Sequence, residues 1–114
     1  MIGSGIVHPF VLEKINSLRE LCNKYNVATL HIFGSATSGR FDERSDLDFL
    51  VTFGDIPAID YADYFFDFMH DLENLYLRKI DLLTENSLTN PYLIRSIQQN
   101  KQLVYDRRNQ EIFA

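Results

Sequence analysis

Two aspartates at the start of an apolar segment, Asp46 and Asp48, have the residue type and spacing best suited to chemistry in this sequence. Side chains of a β-strand alternate between its two faces, so these carboxylates share one face while Leu47 and Phe49 point to the other. Two carboxylates on one face can share a hard divalent cation such as Mg²⁺. The pattern therefore predicts a metal-binding pair at the head of a buried strand.

A Gly34-Ser35 dipeptide upstream of the aspartates follows the apolar segment Val27–Phe33. A hydroxyl and backbone N–H groups at a tight turn can bind phosphate oxygens. Alone, the dipeptide would indicate an ordinary strand-to-helix turn in which Ser35 caps a helix. Followed by the aspartate pair, it predicts phosphate and metal binding side by side, the combination that phosphoryl and nucleotidyl transfer require.

The ordered combination of Gly-Ser, a polar spacer and Asp-x-Asp resembles the signature of the minimal nucleotidyltransferase family, within the polymerase-β-like superfamily. The resemblance runs from His31 through Asp81 and on into the C-terminal helix. It implies a third carboxylate from a later strand, for which Asp81 is the candidate. Under this resemblance the catalytic and metal-binding residues are Asp46, Asp48 and Asp81, and the nucleotide-binding residues are Gly34, Ser35, Arg40 and Ser45.

The position of Asp81 within its own segment agrees with that role. Asp81 interrupts the apolar segment Lys79–Thr84, where an unpaired carboxylate inside a strand costs on the order of several kcal/mol. If this strand lies beside Leu47–Phe53, Asp81 can sit next to Asp46 and Asp48. Three carboxylates close together raise one another's pKa unless a cation neutralises them. We therefore expect bound Mg²⁺.

Members of this minimal family are commonly encoded beside a HEPN-domain ribonuclease and serve as its antitoxin. The resemblance implies transfer of AMP from ATP to a tyrosine hydroxyl of the toxin, with one or two Mg²⁺ ions and the nucleoside triphosphate as co-substrate. A chain of 114 residues is short beside the larger nucleotidyltransferases, so a partner protein is expected to complete the site. The net charge of −5 suits a basic, RNA-cleaving partner.

One residue departs from the family pattern. The family's arginine before the second glycine of the loop is Ser38 here, and Arg40 follows Gly39. Arg40 either reaches the same triphosphate from a shifted position or is a solvated loop cation. Two other functions stay open: transfer to a small molecule such as an aminoglycoside, with a homodimer completing the cleft, and a non-catalytic antitoxin that acts by contact. Loss of the arginine supports the contact mechanism, whereas the three aspartates oppose it.

The spacing of apolar residues along the chain predicts the helices and strands that position the site residues. Together they indicate a single domain, 1–114, of the α/β (α+β) class. It is expected to have the small nucleotidyltransferase fold, a three-to-four-stranded mixed sheet with helices packed mainly on one face. An asparagine N-cap followed by proline marks the start of the last helix. The predicted elements are a helix over Pro9–Tyr25, strands over Val27–Phe33, Leu47–Phe53 and Lys79–Thr84, a helical turn over Ser35–Gly39, a helix over Ile59–Leu77 and a helix beginning at Asn90-Pro91.

The long predicted helix Ile59–Leu77 carries an acidic stripe and, along one flank of it, three apolar residues: Ile59, Phe66 and Leu77. An apolar flank on a small domain often marks an interface. The alternative is a core that extends further around the helix.

Composition limits the remaining possibilities. The eleven basic residues are scattered, so extended nucleic acid is not the expected substrate. The apolar runs are too short to span a bilayer and Met1–Phe10 lacks the basic start of a signal peptide, so a cytoplasmic location is expected. The single cysteine, Cys22, lies at helical spacing from Leu18 and is predicted to be a core residue. The sequence leaves a homo-oligomer open.

Overall fold

Four strands form one mixed sheet in the order β3–β2–β1–β4. The computed structural model describes residues 6–108; residues 1–5 and 109–114 of the predicted domain lie outside the described region. Strand β1 is antiparallel to β2 and to β4, whereas β2 and β3 are parallel. The strands are β1 (Val27–Phe33), β2 (Leu47–Phe53), β3 (Ile80–Thr84) and β4 (Gln102–Asp106).

Four helices accompany the sheet, and most of them cover one face, which confirms the predicted fold class. The helices are α1 (Pro9–Leu12), α2 (Ile15–Lys24), α3 (Ala58–Tyr76) and α4 (Pro91–Asn100), with short 3₁₀ helices at Gly34–Thr37 and Glu85–Ser87. Helix α3 makes the crossover between the two parallel strands, a connection that needs a dozen residues or more. No helix in the described region is long and apolar enough to cross a membrane.

The main core lies between the sheet and helices α1 to α3. It contains Leu30 and Ile32 of β1, Leu47, Phe49 and Val51 of β2, Ile80 and Leu82 of β3, Leu18 and Cys22 of α2, and Phe68, Leu72 and Tyr76 of α3. Because strand side chains alternate between the two faces of the sheet, the strand residues that lie between these core residues in the sequence, such as Asp48 and Asp81, point to the other face. Helix α4 lies on that second face, where its buried Ile97 borders the same small cavity as Leu50. The face of α4 is therefore also the face of Asp48 and Asp81.

Two predicted elements differ from the structure. The continuous helix predicted over Pro9–Tyr25 is wrong: it is divided between α1 and α2, because the carbonyl of Val11 accepts from the Lys14 N–H and the Tyr76 hydroxyl. The strand β4 was not among the predicted elements. It follows α4 after a single residue, Lys101, and is specified by pairing with β1, a contact between distant segments that local periodicity does not reveal.

The apolar flank of α3 is exposed. Ile59 and Leu77 are 87% and 86% exposed, and Phe66 is 58% exposed. The core on the sheet side of α3 is already filled by Phe68, Leu72 and Tyr76. The alternative of a wider core is therefore wrong for these three residues, and an interface on this flank stays a prediction.

Candidate active site

The centre of the site is a pair of carboxylates on adjacent parallel strands. Asp48 of β2 and Asp81 of β3 are direct partners in the strand register, on the second face of the sheet. Burial, followed by a hydrogen bond with Asp81 and the charges of Asp81 and Asp46, raises the pKa of Asp48 to about 6. Two carboxylates that share a hydrogen bond hold one proton between them. The structure thus places two carboxylates next to each other on neighbouring strands, where their negative charges repel.

Asp46 is less closely associated with this pair. It precedes β2, and its carboxylate lies 4.0 Å from the ammonium group of Lys79, both side chains being substantially exposed. Between residues 6 and 108, no three carboxylate, imidazole or thiol groups converge enough to hold a metal ion together. An exposed ion pair of this length contributes little free energy, about 0–1 kcal/mol. The side chain of Asp46 is therefore held only weakly beside Lys79.

Gly34 lies directly against the acidic pair. Its φ is +76°, a left-handed backbone conformation that side chains rarely adopt, and a Cβ at this position would stand 2.2 Å from Oδ2 of Asp48. The contact arises because Phe33, the last residue of β1, is the register partner of Asp48. The 3₁₀ helix Gly34–Thr37 then carries the chain away from the sheet. The backbone at Gly34 and the Asp48 carboxylate are therefore so close that a side chain at position 34 would not fit between them.

An open cleft of about 510 Å³ extends from this turn to α4. Three of the four predicted nucleotide-binding residues, Gly34, Ser35 and Arg40, line it. Ser38, which occupies the family's arginine position, lines it as well. The other lining residues are Phe33, Thr37, Leu93, Ser96, Ile97 and Asn100. The structure thus places Arg40 at the cleft, and the volume is that expected of a small-ligand site.

Ser45, the fourth predicted nucleotide-binding residue, is not among the residues that line the cleft. Its hydroxyl accepts from the backbone N–H of Asp42 at 2.9 Å and lies 3.2 Å from the Asp42 carboxylate. These bonds close the turn that leads into Asp46. The side chain of Ser45 stabilises the loop in this structure, and a nucleotide contact by Ser45 stays a prediction.

Arg78 is the residue of this region that sequence reasoning missed. Its Nη1 donates to the carbonyl oxygens of Asp42 at 3.0 Å and Ser45 at 2.7 Å. Its guanidinium lies over the rings of Phe10 and Phe41, 4.4 and 4.5 Å from their centroids. A planar guanidinium with a fork of donors suits both contacts. No sequence signal could have identified Arg78, because its partners are backbone carbonyls and rings from distant segments.

Replacing Arg78 with alanine is expected to loosen the loop that precedes Asp46. The loss of two hydrogen bonds and two cation–π contacts should lower the free energy of unfolding by about 2–3 kcal/mol. Urea unfolding of the variant measures this change. Arg44→Ala removes an equal charge from the loop itself, where the Arg44 side chain is exposed, and should change the free energy by less than about 0.5 kcal/mol. Equal losses in the two variants would contradict a specific role for Arg78.

Comparison with known proteins shows the family to which the chain belongs. Residues 16–110 match the family model described as polymerase beta, nucleotidyltransferase. A protein adenylyltransferase named MntA, from Thermococcus cleftensis, is 34% identical over 82 residues, which are 68% of this chain and 80% of that protein.

Solved structures with the same fold include toxin–antitoxin complexes. One, a toxin–antitoxin crystallised with AMP-PNP, matches with a TM-score of 0.62 and 19% identity over 88% of this chain and 80% of that one. Another is a tri-AMPylated HEPN toxin from Shewanella oneidensis in complex with its MNT antitoxin. It matches with a TM-score of 0.56 and 17% identity, over 90% of this chain and 79% of that one. At these identities the likeness shows the fold.

Proposed function

Since this chain belongs to the polymerase-β nucleotidyltransferase family, we propose that it transfers AMP from ATP to a tyrosine hydroxyl of a partner HEPN ribonuclease and is that toxin's antitoxin. In this proposal the whole chain, 1–114, is one catalytic domain. The observation that carries it is the contact of Gly34 with Asp48, which is itself paired with Asp81. Gly34 lines a cleft large enough for a nucleotide, and its contact with Asp48 connects that cleft to the acidic pair, whose members are not among the lining residues.

The acidic residues fit a magnesium ion by their chemistry. Asp48 and Asp81 offer adjacent carboxylate oxygens, the ligands that Mg²⁺ prefers, and their mutual repulsion is relieved by a cation. Asp46 can join them by leaving Lys79, since their 4.0 Å contact is weak. Asp46, Asp48 and Asp81 would therefore hold one or two Mg²⁺ ions. When bound, the metal neutralises phosphate charge and stabilises the attacking and leaving oxygens.

Residues of the turn and loop bind the triphosphate. Gly34, Ser35 and Arg40 line the same cleft. Hydrogen bonds from the turn and the charge of Arg40 hold the β and γ phosphates. The α-phosphate then lies near the acidic pair. Arg40 supplies a cation to a cleft in which Ser38 replaces the family's arginine.

Asp81 is suited to receive the proton of the acceptor. Its side chain is exposed, unlike that of the half-buried Asp48, so a tyrosine hydroxyl of a partner protein can approach it. The hydroxyl gives its proton to the Asp81 carboxylate as its oxygen bonds to the α-phosphorus. The bond from that phosphorus to the bridging oxygen breaks, and pyrophosphate leaves with the electron pair. The product is an AMP–tyrosine phosphodiester.

The test is label transfer from α-labelled ATP in the presence of Mg²⁺, with the proposed partner HEPN protein as acceptor. Label should appear on the HEPN protein together with loss of its ribonuclease activity. It should be absent when the acceptor tyrosine is phenylalanine. A parallel reaction with γ-labelled ATP should leave the HEPN protein unlabelled, which separates adenylyl from phosphoryl transfer. The Asp46→Ala, Asp48→Ala double variant is the catalytic control.

Either of two results would contradict this proposal and support another function. Label on an aminoglycoside, with the HEPN protein unlabelled, would make the chain a small-molecule nucleotidyltransferase. Silencing of the ribonuclease by the double variant as fully as by the natural chain, without label, would make it an antitoxin that acts by contact.

A further inference from the structure

A row of large apolar side chains lies on the surface of α3, on the side away from the sheet. This apolar flank consists of Ile59, Phe66 and Leu77, which are 87%, 58% and 86% exposed. At about 100° per residue Ile59 and Phe66 point in nearly one direction, opposite to the buried Phe68, and Leu77 follows at the end of the helix. Apolar residues scattered singly are ordinary on a protein surface, whereas a row of them along one helix indicates a surface that another molecule covers.

Leu77 occupies a backbone position that favours glycine. Its φ is +54°, a left-handed conformation that a residue with a Cβ adopts less readily, and helices commonly end on a glycine in this conformation. Because the Leu77 side chain is 86% exposed, packing against the rest of the described chain does not explain a leucine here. Strained backbone conformations are concentrated at functional sites. The strain at Leu77 therefore points to a contact with a second molecule.

The surface around the apolar flank is acidic. Helix α3 contains no lysine or arginine, and its acidic residues are Asp60, Asp63, Asp67, Asp71 and Glu73. Within residues 6–108 only one of these five forms an ion pair, Asp71 with Lys24 at 3.3 Å. Two copies of this helix packed against each other would bring like charges together, which is unfavourable at short distance. The apolar flank therefore fits a basic partner rather than a second copy of the chain.

The apolar flank ends at the edge of the sheet that carries the acidic pair. Asp81 follows Leu77 by four residues, and its strand, β3, is the last strand on that side of the sheet. The Asp81 side chain is exposed, and it lies on the face of the sheet opposite to α3. A protein that lies along α3 can therefore reach around β3 to the Asp81 carboxylate.

We propose that the apolar flank of α3 is the docking surface for the protein acceptor, and that the acceptor covers it with a helix whose apolar side chains are flanked by lysine or arginine. The inference rests on the proposed transfer to a partner protein and deepens it by naming the surface that holds this partner. The flank is about 27 Å long, at about 1.5 Å per residue, which suits the packing of one helix along another. Apolar contacts supply the affinity, and the opposite charges orient the helix and speed association.

The experiment measures the dissociation constant of the complex with the proposed partner HEPN protein, without ATP, by biolayer interferometry. Phe66→Ala should weaken binding by about tenfold or more, the loss typical of a central aromatic contact. Tyr92→Ala is the matched control, because it removes an 82% exposed aromatic side chain from α4, on the other face of the sheet, and it should change binding by less than about twofold. The double variant Asp63→Lys, Asp67→Lys should slow association, and this effect should disappear at high salt.

Leu77→Gly separates docking from folding. Glycine adopts the left-handed backbone at φ +54° without strain, so the urea midpoint of unfolding should not fall. Loss of the leucine side chain from the apolar flank should nevertheless weaken binding of the HEPN protein by about fivefold. This variant therefore tests the contact in a chain whose fold is intact.

Label transfer distinguishes failure of this inference from failure of the proposed function. At saturating HEPN protein, Phe66→Ala should transfer AMP within about threefold of the natural rate, because Phe66 acts in docking and does not touch the reacting atoms. Unchanged binding in Phe66→Ala and Leu77→Gly, with label on the HEPN protein, overturns the docking surface alone, as does equal weakening by Tyr92→Ala. A natural chain that is dimeric and becomes monomeric with Phe66→Ala also overturns it, since the flank then holds a second copy. A HEPN protein that neither binds nor takes label overturns both proposals.

Discussion

Asp48→Asn is expected to abolish nucleotidyl transfer while the protein stays folded. The amide keeps the shape of the carboxylate and can donate to Asp81, but it carries no charge to hold a metal ion beside the phosphates. Removing a group that stabilises charge in a transition state typically costs 10²–10³ in rate, and loss of a metal ligand should cost at least about 10³. Label transfer from α-labelled ATP at saturating Mg²⁺ measures the loss. A rate within tenfold of the natural chain would remove Asp48 from the mechanism.

The stability of this variant supplies a second readout. The folded-state pKa of Asp48, about 6, lies above the usual value of 3.8. A raised carboxyl pKa stabilises the folded state at low pH, and this contribution is lost as pH rises through about 6. In EDTA at pH 7.5 the charged Asp48 therefore opposes folding, and Asp48→Asn should be at least as stable as the natural chain. Urea unfolding at pH 4.5 and 7.5 should show the advantage of the variant growing with pH; a smaller advantage at pH 7.5 would contradict the acidic pair.

Gly34→Ala is expected to have the second largest effect, about 10²-fold on transfer. The new methyl group would have to stand 2.2 Å from Oδ2 of Asp48, so the carboxylate must move by about an ångström. Misplacement of a catalytic group by about 1 Å costs on the order of 10²-fold in rate. The left-handed backbone at φ +76° adds about 1–2 kcal/mol of destabilisation for any residue with a Cβ. The rate and the free energy of unfolding are measured on the same preparation.

Gly39→Ala separates the two causes. Gly39 has nearly the same φ, +80°, and no atom stands within 4 Å of a Cβ built there. This variant should lose about 1–2 kcal/mol of stability, like Gly34→Ala, but keep its rate within about threefold. If both variants lose activity equally, backbone strain in the loop explains the loss, and the Gly34–Asp48 contact has no special role.

The features predicted correctly from the sequence are those that local rules determine. The period of two predicted which face of its own strand carries Asp48 and which carries Asp81; that the two strands are neighbours was a condition of the prediction, which the structure meets. The N-cap rule located the start of α4 at Asn90-Pro91. Each of these predictions depends only on residues that are neighbours in the sequence, so a single sequence was enough to make it.

The features missed are those that distant contacts determine. The interruption between α1 and α2 depends on the hydroxyl of Tyr76, and the loop before Asp46 depends on Arg78. The direction of the Asp46 side chain depends on a weak contact with Lys79, which no spacing rule predicts. The face of α4 that lines the cleft has an ordinary amphipathic pattern, and only its place beside the 3₁₀ helix Gly34–Thr37 brings it to the cleft.

The cleft brings together an early and a late part of the chain, and this has a consequence for biosynthesis. The turn at Gly34 leaves the ribosome well before α4, and at roughly 5–20 residues per second several seconds separate them. Strand β4, which follows α4 and pairs with β1, comes later still. A growing chain that already contains Gly34, Asp48 and Asp81 therefore still lacks the side of the cleft that α4 contributes. The cleft is complete only when the C-terminal segment docks.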